Sequence, residues 1–305
     1  MAKRYLANNE SLIKKALYLR LMAEDIADGM KSGNFRSLYR GQGIEFSGVR
    51  DYIRGDDIRS IDWNVTARMG HPYVKVFEEE RELQIFIVVD TSASMHVQTW
   101  SRDGGLKDLR RTKYSLAAET AALITIAAEM NSCPLGAALF DGQIHFSCKP
   151  QLGREQTMLV LTHLDKKPEV LTQGSLLGNA LTGSGQLLRK RSLIFVISDF
   201  RSSDYEKPLI SLAQKNDVIA IRMEDAFDIE LPSVGTIPFI DAESGVKMRL
   251  PTNSEKFKKE WKDFYNQNES HWQNLCVKHG IMSVIMRTGD SPLQVLTSIF
   301  GRKAK

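Results

Sequence analysis

From residue 83 onward, apolar runs of strand length alternate with longer segments of helical periodicity, and this alternation constrains the fold more than any other feature. LQIFIVVD, PLGAALFD, SLIFVISDF and DVIAIRM are nearly continuous apolar runs, as expected of strands that are buried on both faces. The segments between them, such as LRRTKYSLAAETAALITIAAEM, have the length and spacing of helices. The sequence therefore predicts an α/β fold in which a mostly parallel sheet is flanked by helices.

Two regions before residue 83 have a different sequence pattern. Residues 1–33 are expected to contain one amphipathic helix, because apolar residues recur there at helical spacing. Residues 34–81 form a segment dense in glycine, arginine and aspartate, and its apolar and aromatic residues predict a smaller, strand-rich element with Trp63 as an apolar anchor. The main domain is then expected over 82–305, with a hairpin insertion at about 230–250.

Arginines and aspartates alternate within the 34–81 segment. Such a pattern predicts a network of charge-assisted pairs that holds an irregular segment together. The alternative is that some of the arginines face an acidic partner or a phosphate. The residues concerned are Arg50, Arg54, Arg59 and Arg68 with Asp51, Asp56, Asp57 and Asp62.

Composition excludes several classes of protein. The net charge of +4 is too small to indicate nucleic-acid binding, and the acidic residues interleaved with the arginines cancel most of the field that a phosphate backbone requires. Three widely spaced cysteines indicate neither a disulfide framework nor a zinc site. The most apolar helical segment, 116–130, is shorter than the roughly 20 residues of a membrane span, and the N-terminal residues lack the apolar core of a secretory signal. We therefore expect a cytoplasmic protein with no membrane span and no nucleic-acid partner.

Oxygen-bearing side chains follow two of the predicted strands directly. Asp90 ends the first apolar run, with Ser92 and Ser94 at the next alternate positions, and Asp199 follows the third run. A further loop supplies Ser175 before a predicted helix. Because ligands gather at the carboxyl ends of parallel strands, these oxygens are expected to converge, and they suit Mg²⁺ or Mn²⁺. Taken singly, the serines are also compatible with a helix N-cap and Asp199 with the start of a turn.

Three short motifs resemble the metal-ion-dependent adhesion site of the von Willebrand factor A fold. DTSASM resembles its DxSxS motif, QGSLLGNAL resembles its second loop with serine in place of the more usual threonine, and VISDF resembles its third loop. The resemblance implies a Rossmann-like von Willebrand factor A domain in the 82–305 region. It also implies that the metal is held, directly or through water, by Asp90, Ser92, Ser94, Ser175 and Asp199.

Residues 46–81, FSGVRDYIRGDDIRSIDWNVTARMGHPYVKVFEEER, are similar to the signature of a bacterial family catalogued as domain of unknown function 58 (DUF58). That signature is a Gly-Asp-Asp-x-Arg-x-Ile-Asp-Trp block just before a von Willebrand A-like domain, and the resemblance runs from about residue 30 to the end of the chain. It implies an adaptor or co-chaperone of a MoxR-type AAA+ ATPase. The implied partner is a protein that supplies an acidic side chain to the metal.

An enzyme is the alternative to a binding module. An aspartate that closes an apolar strand also begins the DxDx[TV] motif of haloacid dehalogenase phosphohydrolases, but that chemistry needs a second carboxylate as general acid where Ser92 stands. Neither a GxSxG elbow nor a GxxxxGK[ST] phosphate loop occurs in the sequence. The sequence therefore favours non-enzymatic, divalent-metal-dependent protein binding over a metal-dependent phosphohydrolase.

Overall fold

The structure is a computed structural model that describes residues 12, 16–31, 44–79, 83–97, 111–166, 176–240 and 246–300. The chain divides into two compact units, each described by itself below. The larger unit comprises Met1–Lys31 and Gln84–Lys305, and the smaller unit comprises Ser32–Leu83. The domain limits expected from the sequence stay predictions, and the N-terminal helix belongs to the larger unit.

The described strands lie close to the apolar runs seen in the sequence. Strands β1 and β2 belong to the smaller unit and pair antiparallel, whereas β8 and β9 form the hairpin expected from the sequence. In chain order the strands are β1 Ile44–Asp51, β2 Tyr73–Glu79, β3 Ile85–Asp90, β4 Leu135–Phe140, β5 Ile144–Gln151, β6 Leu193–Ser198, β7 Asp217–Glu224, β8 Thr236–Ile240, β9 Lys247–Pro251 and β10 Met282–Arg287.

The helices fill the intervals between strands. In chain order they are α1 Ala16–Lys31, α2 Trp63–Met69, α3 Lys113–Met130, α4 Arg154–Asp165, α5 Leu177–Leu187, α6 Glu206–Lys215, α7 Glu255–Lys278 and α8 Pro292–Phe300. One-turn helices lie at Ala93–His96 and Ala226–Ile229, and a 3₁₀ turn lies at Ile58–Ser60. Within the ranges that the structure describes, no helix is both long enough and apolar enough to span a membrane.

The central sheet has the strand order β5-β4-β3-β6-β7-β10. All neighbouring pairs are parallel except β4 and β5, which are antiparallel. Within this sheet the first strand in chain order is β3. Strands β4 and β5 then lie on one side of it, and β6 pairs with β3 on the other side. The strand order therefore reverses between β3 and β6. The predicted α/β fold with a mostly parallel sheet flanked by helices is confirmed.

Both faces of the sheet are covered, which explains the unbroken apolar runs. Every residue of β3, β4 and β6 is buried. Phe86 and Val88 point to a face packed with side chains of α5, α6 and α7, among them the fully enclosed Trp272. Ile87 and Val89 alternate to the other face, where α3 packs. Gly136 in β4 leaves space for the Phe86 ring, because a Cβ there would lie 2.7 Å from a ring carbon.

The smaller unit differs from its sequence prediction in two ways. Besides β1 and β2 it contains the short helix α2, which Asp62 caps by accepting hydrogen bonds from two backbone N–H groups of its first turn. Trp63 is the first residue of that helix and is 66% exposed, so the prediction that it anchors the core of this segment is wrong. Val74 on β2 is buried instead.

Pairing of arginine with aspartate within the smaller unit is local. Arg50 donates two hydrogen bonds to Asp56, of 2.6 and 2.7 Å. Asp57, like Asp62, accepts a backbone N–H and so caps a turn rather than pairing with an arginine. Within the described residues, the alternating charges of this segment thus include one bidentate ion pair, Arg50 with Asp56, and two caps, Asp57 and Asp62.

Candidate metal centre

Asp90 and Asp199 flank the point where the strand order reverses. Asp90 is the last residue of β3, and Asp199 directly follows β6, its parallel neighbour. Both carboxylates are buried, with 1% and 4% of the residue exposed. The crevice outside the carboxyl ends of strands at such a switch point is where open α/β sheets bind ligands.

The Asp90 carboxylate is held by hydrogen bonds on both oxygens. The backbone N–H of Ser92 donates to Oδ1 over 2.9 Å, and the Ser198 hydroxyl donates to Oδ2 over 2.6 Å. Ser92 occupies the N-cap position of the one-turn helix Ala93–His96, yet its side chain makes no capping hydrogen bond. Its Oγ lies 3.1 Å from the Ser94 Oγ instead. The serine hydroxyls therefore face each other beside Asp90 and do not serve as a helix cap.

Asp199 is tied to the same serines and to a buried lysine. The Ser94 side chain hydrogen-bonds to the Asp199 carboxylate. The Nζ of Lys113, the first residue of α3, donates to Asp199 Oδ2 over 2.8 Å, and the backbone N–H of Arg201 donates to Oδ1 over 3.3 Å. Four of the five predicted ligands, Asp90, Ser92, Ser94 and Asp199, thus form one connected cluster.

The fifth predicted ligand, Ser175, lies outside the described residues. The residue after it, Leu176, donates its backbone N–H to the carbonyl of Asp141, which follows the carboxyl end of β4. The chain at the start of α5 is therefore fastened to the same edge of the sheet that carries Asp90. A role for Ser175 as a ligand stays a prediction.

Thr91 fastens the loop after β3 to the neighbouring strand. Its backbone N–H and its hydroxyl both donate to the carbonyl of Phe140, over 2.7 and 2.9 Å. Because the hydroxyl proton is used in this way, Thr91 Oγ accepts from His145 Nε2, which lies 2.7 Å away. These bonds fix the backbone between Asp90 and Ser92.

The two carboxylates have opposite pKa shifts. Burial, followed by repulsion from Asp199, raises the pKa of Asp90 to about 7. Burial also acts to raise the pKa of Asp199, but the charges of Lys113 and Arg201 and the hydrogen bonds from Lys113 and Ser94 outweigh it and lower that pKa to about 2. Near neutral pH the cluster therefore combines one ionised carboxylate with one that readily holds a proton.

The donor chemistry fits a hard cation with few charged ligands. Among the described residues, no three His, Cys, Asp or Glu side chains are grouped closely enough to form a metal site by themselves. The predicted set differs in kind, since it combines two carboxylates with serine hydroxyls. Oxygen donors of these types are the ligands of Mg²⁺ and Mn²⁺.

Sequence reasoning missed four side chains of this cluster: Ser198, Lys113, Arg201 and Asp228. Ser198 is the polar residue at the end of β6, just before Asp199, and its position next to a predicted ligand was a usable signal. Lys113 lies in the first turn of α3, where the helix dipole disfavours a cation, so an acidic partner could have been inferred. Asp228 gave no local signal, because its contact with Lys113 joins distant parts of the chain.

Comparison with known proteins identifies relatives along most of the chain. The family model described as protein of unknown function DUF58 matches residues 48–271. Uncharacterized proteins of Mycobacterium bovis and Mycobacterium tuberculosis are each 33% identical over 231 residues, which cover 75% of this chain and 70% of each relative.

Similar solved structures include an aerotolerance-related membrane protein from Bacteroides fragilis, with a TM-score of 0.48 and 16% identity, covering 71% of this chain and 96% of that one. They also include the conserved hypothetical protein BatB from Bacteroides thetaiotaomicron, with a TM-score of 0.43 and 13% identity over 72% of this chain and 97% of that one. The VWA domain of SpRpn10 has a TM-score of 0.37 and 14% identity over 72% of this chain and 95% of that one.

Proposed function

The chain belongs to the family described as protein of unknown function DUF58, and from the geometry of its strand ends we propose that it is a divalent-metal-dependent protein-binding module. The observation that carries this proposal is the meeting of two buried carboxylates, Asp90 and Asp199, at the switch point of the sheet. In this proposal Mg²⁺ or Mn²⁺ is held, directly or through water, by Asp90, Ser92, Ser94, Ser175 and Asp199.

The hydrogen bonds of the cluster leave capacity for an ion. A carboxylate offers about four lone-pair sites, and the internal bonds to Asp90, from the Ser198 hydroxyl and from the backbone and side chain of Ser92, use three of them. Ser198 and the Ser92 backbone orient the Asp90 carboxylate, while Ser94 links Asp199 to Ser92. When bound, the ion would supply a positive centre that attracts a carboxylate from a partner protein.

We propose binding rather than catalysis. A phosphohydrolase of the DxDx[TV] type needs a general acid two residues after its nucleophile, and Ser92 stands there with its Oγ beside another serine. Both oxygens of Asp90, the nucleophile in such a scheme, already accept internal hydrogen bonds. These contacts favour a fixed ligand over an attacking group.

The finer proposal concerns the partner. The resemblance of residues 46–81 to the DUF58 signature supports an adaptor or co-chaperone role beside a MoxR-type AAA+ ATPase. The partner, either the ATPase or its client, would contribute an aspartate or glutamate as the last ligand of the ion. The cytoplasmic location expected from the sequence stays a prediction.

A pull-down from a bacterial lysate tests this proposal. The bait is the wild-type chain, the Asp90→Ala variant or the Asp217→Ala variant, each with Mg²⁺ and with EDTA. Asp217 is the matched control, because it begins β7 at the opposite end of the strands and pairs with Arg191. We expect an AAA+ ATPase with the wild type and with Asp217→Ala in Mg²⁺ only, and none with Asp90→Ala.

Two results would overturn the proposal. Capture that is the same for all three baits and insensitive to EDTA would show that the strand-end cluster is not the binding site. Turnover of a phosphate ester by the wild type, abolished in Asp90→Ala, would favour the enzyme instead.

A further inference from the structure

A buried ammonium group lies within the candidate metal centre. Lys113 is 4% exposed, and its Nζ is 2.8 Å from Asp199 Oδ2 and 3.6 Å from Asp228 Oδ2. Two carboxylates, one directly after β6 and one in the one-turn helix after β7, therefore share one lysine, and only Asp199 belongs to the proposed ligand set.

Arg201 completes this cluster from the solvent side. Its Nη2 is 2.6 Å from Asp228 Oδ1, and its side chain is half exposed. With Asp90 ionised, as it would be when it binds a cation, the cluster contains three carboxylates and two basic groups, which leaves one formal negative charge. A divalent cation bound there would be only half neutralised, and one further negative charge would be needed to balance it.

Helix propensity does not account for a lysine at this position. Lys113 is in the first turn of α3, where the helix dipole repels cations, and Thr112 already caps the helix by accepting from the Ser115 backbone. The contacts that favour Lys113 are those to Asp199 and Asp228. Its position is therefore explained by the electrostatics of the strand-end cluster.

We propose that Lys113 sets the metal affinity of the strand-end site by cancelling one negative charge beside the ion, so that tight binding of the metal requires a carboxylate from the partner. This inference rests on the proposed function. Metal affinity in oxygen sites rises with the number of charged ligands, and coupling between two ligands is reciprocal. Metal and partner would then strengthen each other's binding, and each alone would bind weakly.

Variants that change the charge of the cluster in opposite directions test this inference. Free Mn²⁺ is measured by electron paramagnetic resonance during titration of each protein, with Mg²⁺ calorimetry as a second readout. Lys113→Gln removes a positive charge and should bind Mn²⁺ at least about tenfold more tightly than the wild type. Asp228→Asn removes a negative charge without touching a proposed ligand and should bind more weakly than the wild type.

The charge-conserving variant Lys113→Arg should bind within about threefold of the wild type, whereas a merely structural role for Lys113 would not produce this order of affinities. Lys256→Gln is the matched surface control, since that side chain on α7 is 87% exposed, and it should leave the affinity unchanged. Replacing chloride by acetate at equal ionic strength should tighten Mn²⁺ binding more in the wild type than in Lys113→Gln. Circular dichroism measures whether each variant is folded. If Lys113→Gln is not folded, Asp228→Asn provides the test.

The outcomes separate this inference from the proposed function. If the wild type binds Mn²⁺ and Asp90→Ala does not, but Lys113→Gln and Asp228→Asn match the wild type, the role of Lys113 is overturned and the metal site stands. If neither the wild type nor any folded Lys113 variant binds, the proposed function fails and this inference fails with it. If only Lys113→Gln binds Mn²⁺ detectably in chloride and the wild type binds once acetate is present, the inference and the proposed function are both supported. If acetate does not bring about binding by the wild type, the inference is overturned.

Discussion

The smaller unit and the strand-end cluster of the larger unit both pair aspartate with basic side chains, but in different surroundings. Arg50 and Asp56 form a bidentate pair whose side chains are 46% and 20% exposed. Lys113 and Asp199 form a single bond between fully enclosed groups. Water competes with an exposed pair, so such pairs contribute little, whereas a buried charge without its partner is strongly destabilising. Burial rather than residue type therefore separates a locally structural charge from a candidate functional one.

The two units can first be compared through their tryptophans, where we expect the largest effect. Trp272→Ala should lower the free energy of unfolding by about 4 kcal/mol, because the side chain is enclosed between α7 and the sheet. Trp63→Ala is the matched variant in the smaller unit and should change it by less than about 0.5 kcal/mol. Urea denaturation followed by circular dichroism measures both. Equal losses would show that the exposed position of Trp63 is wrong.

The buried ion pair gives the second prediction. Lys113→Met should lower the free energy of unfolding by about 3 kcal/mol in EDTA, because it leaves the Asp199 carboxylate buried without its closest cation. The Lys256→Met variant on the exposed face of α7 should match the wild type in the same urea experiment. A loss in Lys113→Met no larger than that of the surface variant would contradict the contrast between the units.

The unequal pKa values of the two carboxylates give the third prediction. The pKa of Asp90 is raised to about 7 from an ordinary value of 3.8, so between these pH values the folded state keeps a proton that the unfolded state has lost. The contribution of Asp90 to stability is therefore complete below about pH 4 and is lost as the pH rises through about 7. Asp90→Asn should raise the free energy of unfolding above pH 7 by on the order of 2 kcal/mol in EDTA and should change it little at pH 4. Urea denaturation midpoints measured from pH 4 to above pH 7 test this prediction. A variant that is stabilised equally at pH 4 and above pH 7 would contradict the raised pKa of Asp90.

The exposed ion pair should give the smallest effect. Arg50→Met removes both hydrogen bonds to Asp56, yet solvent can replace them, so the free energy of unfolding should stay within experimental error of the wild-type value. Urea denaturation at low and high salt provides the measurement. A clear loss at low salt that disappears at high salt would instead show that the Arg/Asp segment depends on its charges.

Much of the larger unit could be predicted from the sequence, because its strands are buried on both faces and so form unbroken apolar runs. The positions of Asp90 and Asp199 followed from the same runs, since each residue comes where a run ends. The helix at Trp63–Met69 was not predicted, because it is short and its only strong local signal is the capping residue Asp62. The exposure of Trp63 was likewise invisible to a composition argument that treats every aromatic residue as core.

The charges around the site could not be predicted, for a different reason. Lys113 and Asp199 are 86 residues apart in the chain, so their contact leaves no periodicity in the sequence. The Lys113 contact to Asp228 is longer still in sequence and depends on a one-turn helix after β7. The position of the candidate site could thus be predicted from the strand ends, while its net charge required the folded arrangement.

The pairing of β3 with β6 also dictates when the site can exist. The hydrogen bond from Ser198 to Asp90 spans 108 residues, so both halves of the cluster meet only after a long loop has closed. Such distant strand pairings form slowly. Because synthesis proceeds from the N-terminus, the growing chain contains Asp90 well before Asp199 is added. An ion shared by the two aspartates would stabilise no early intermediate. It would act on the chain only after the middle of the sheet has closed, so that a partner recognising the filled site would distinguish finished molecules from unfinished ones.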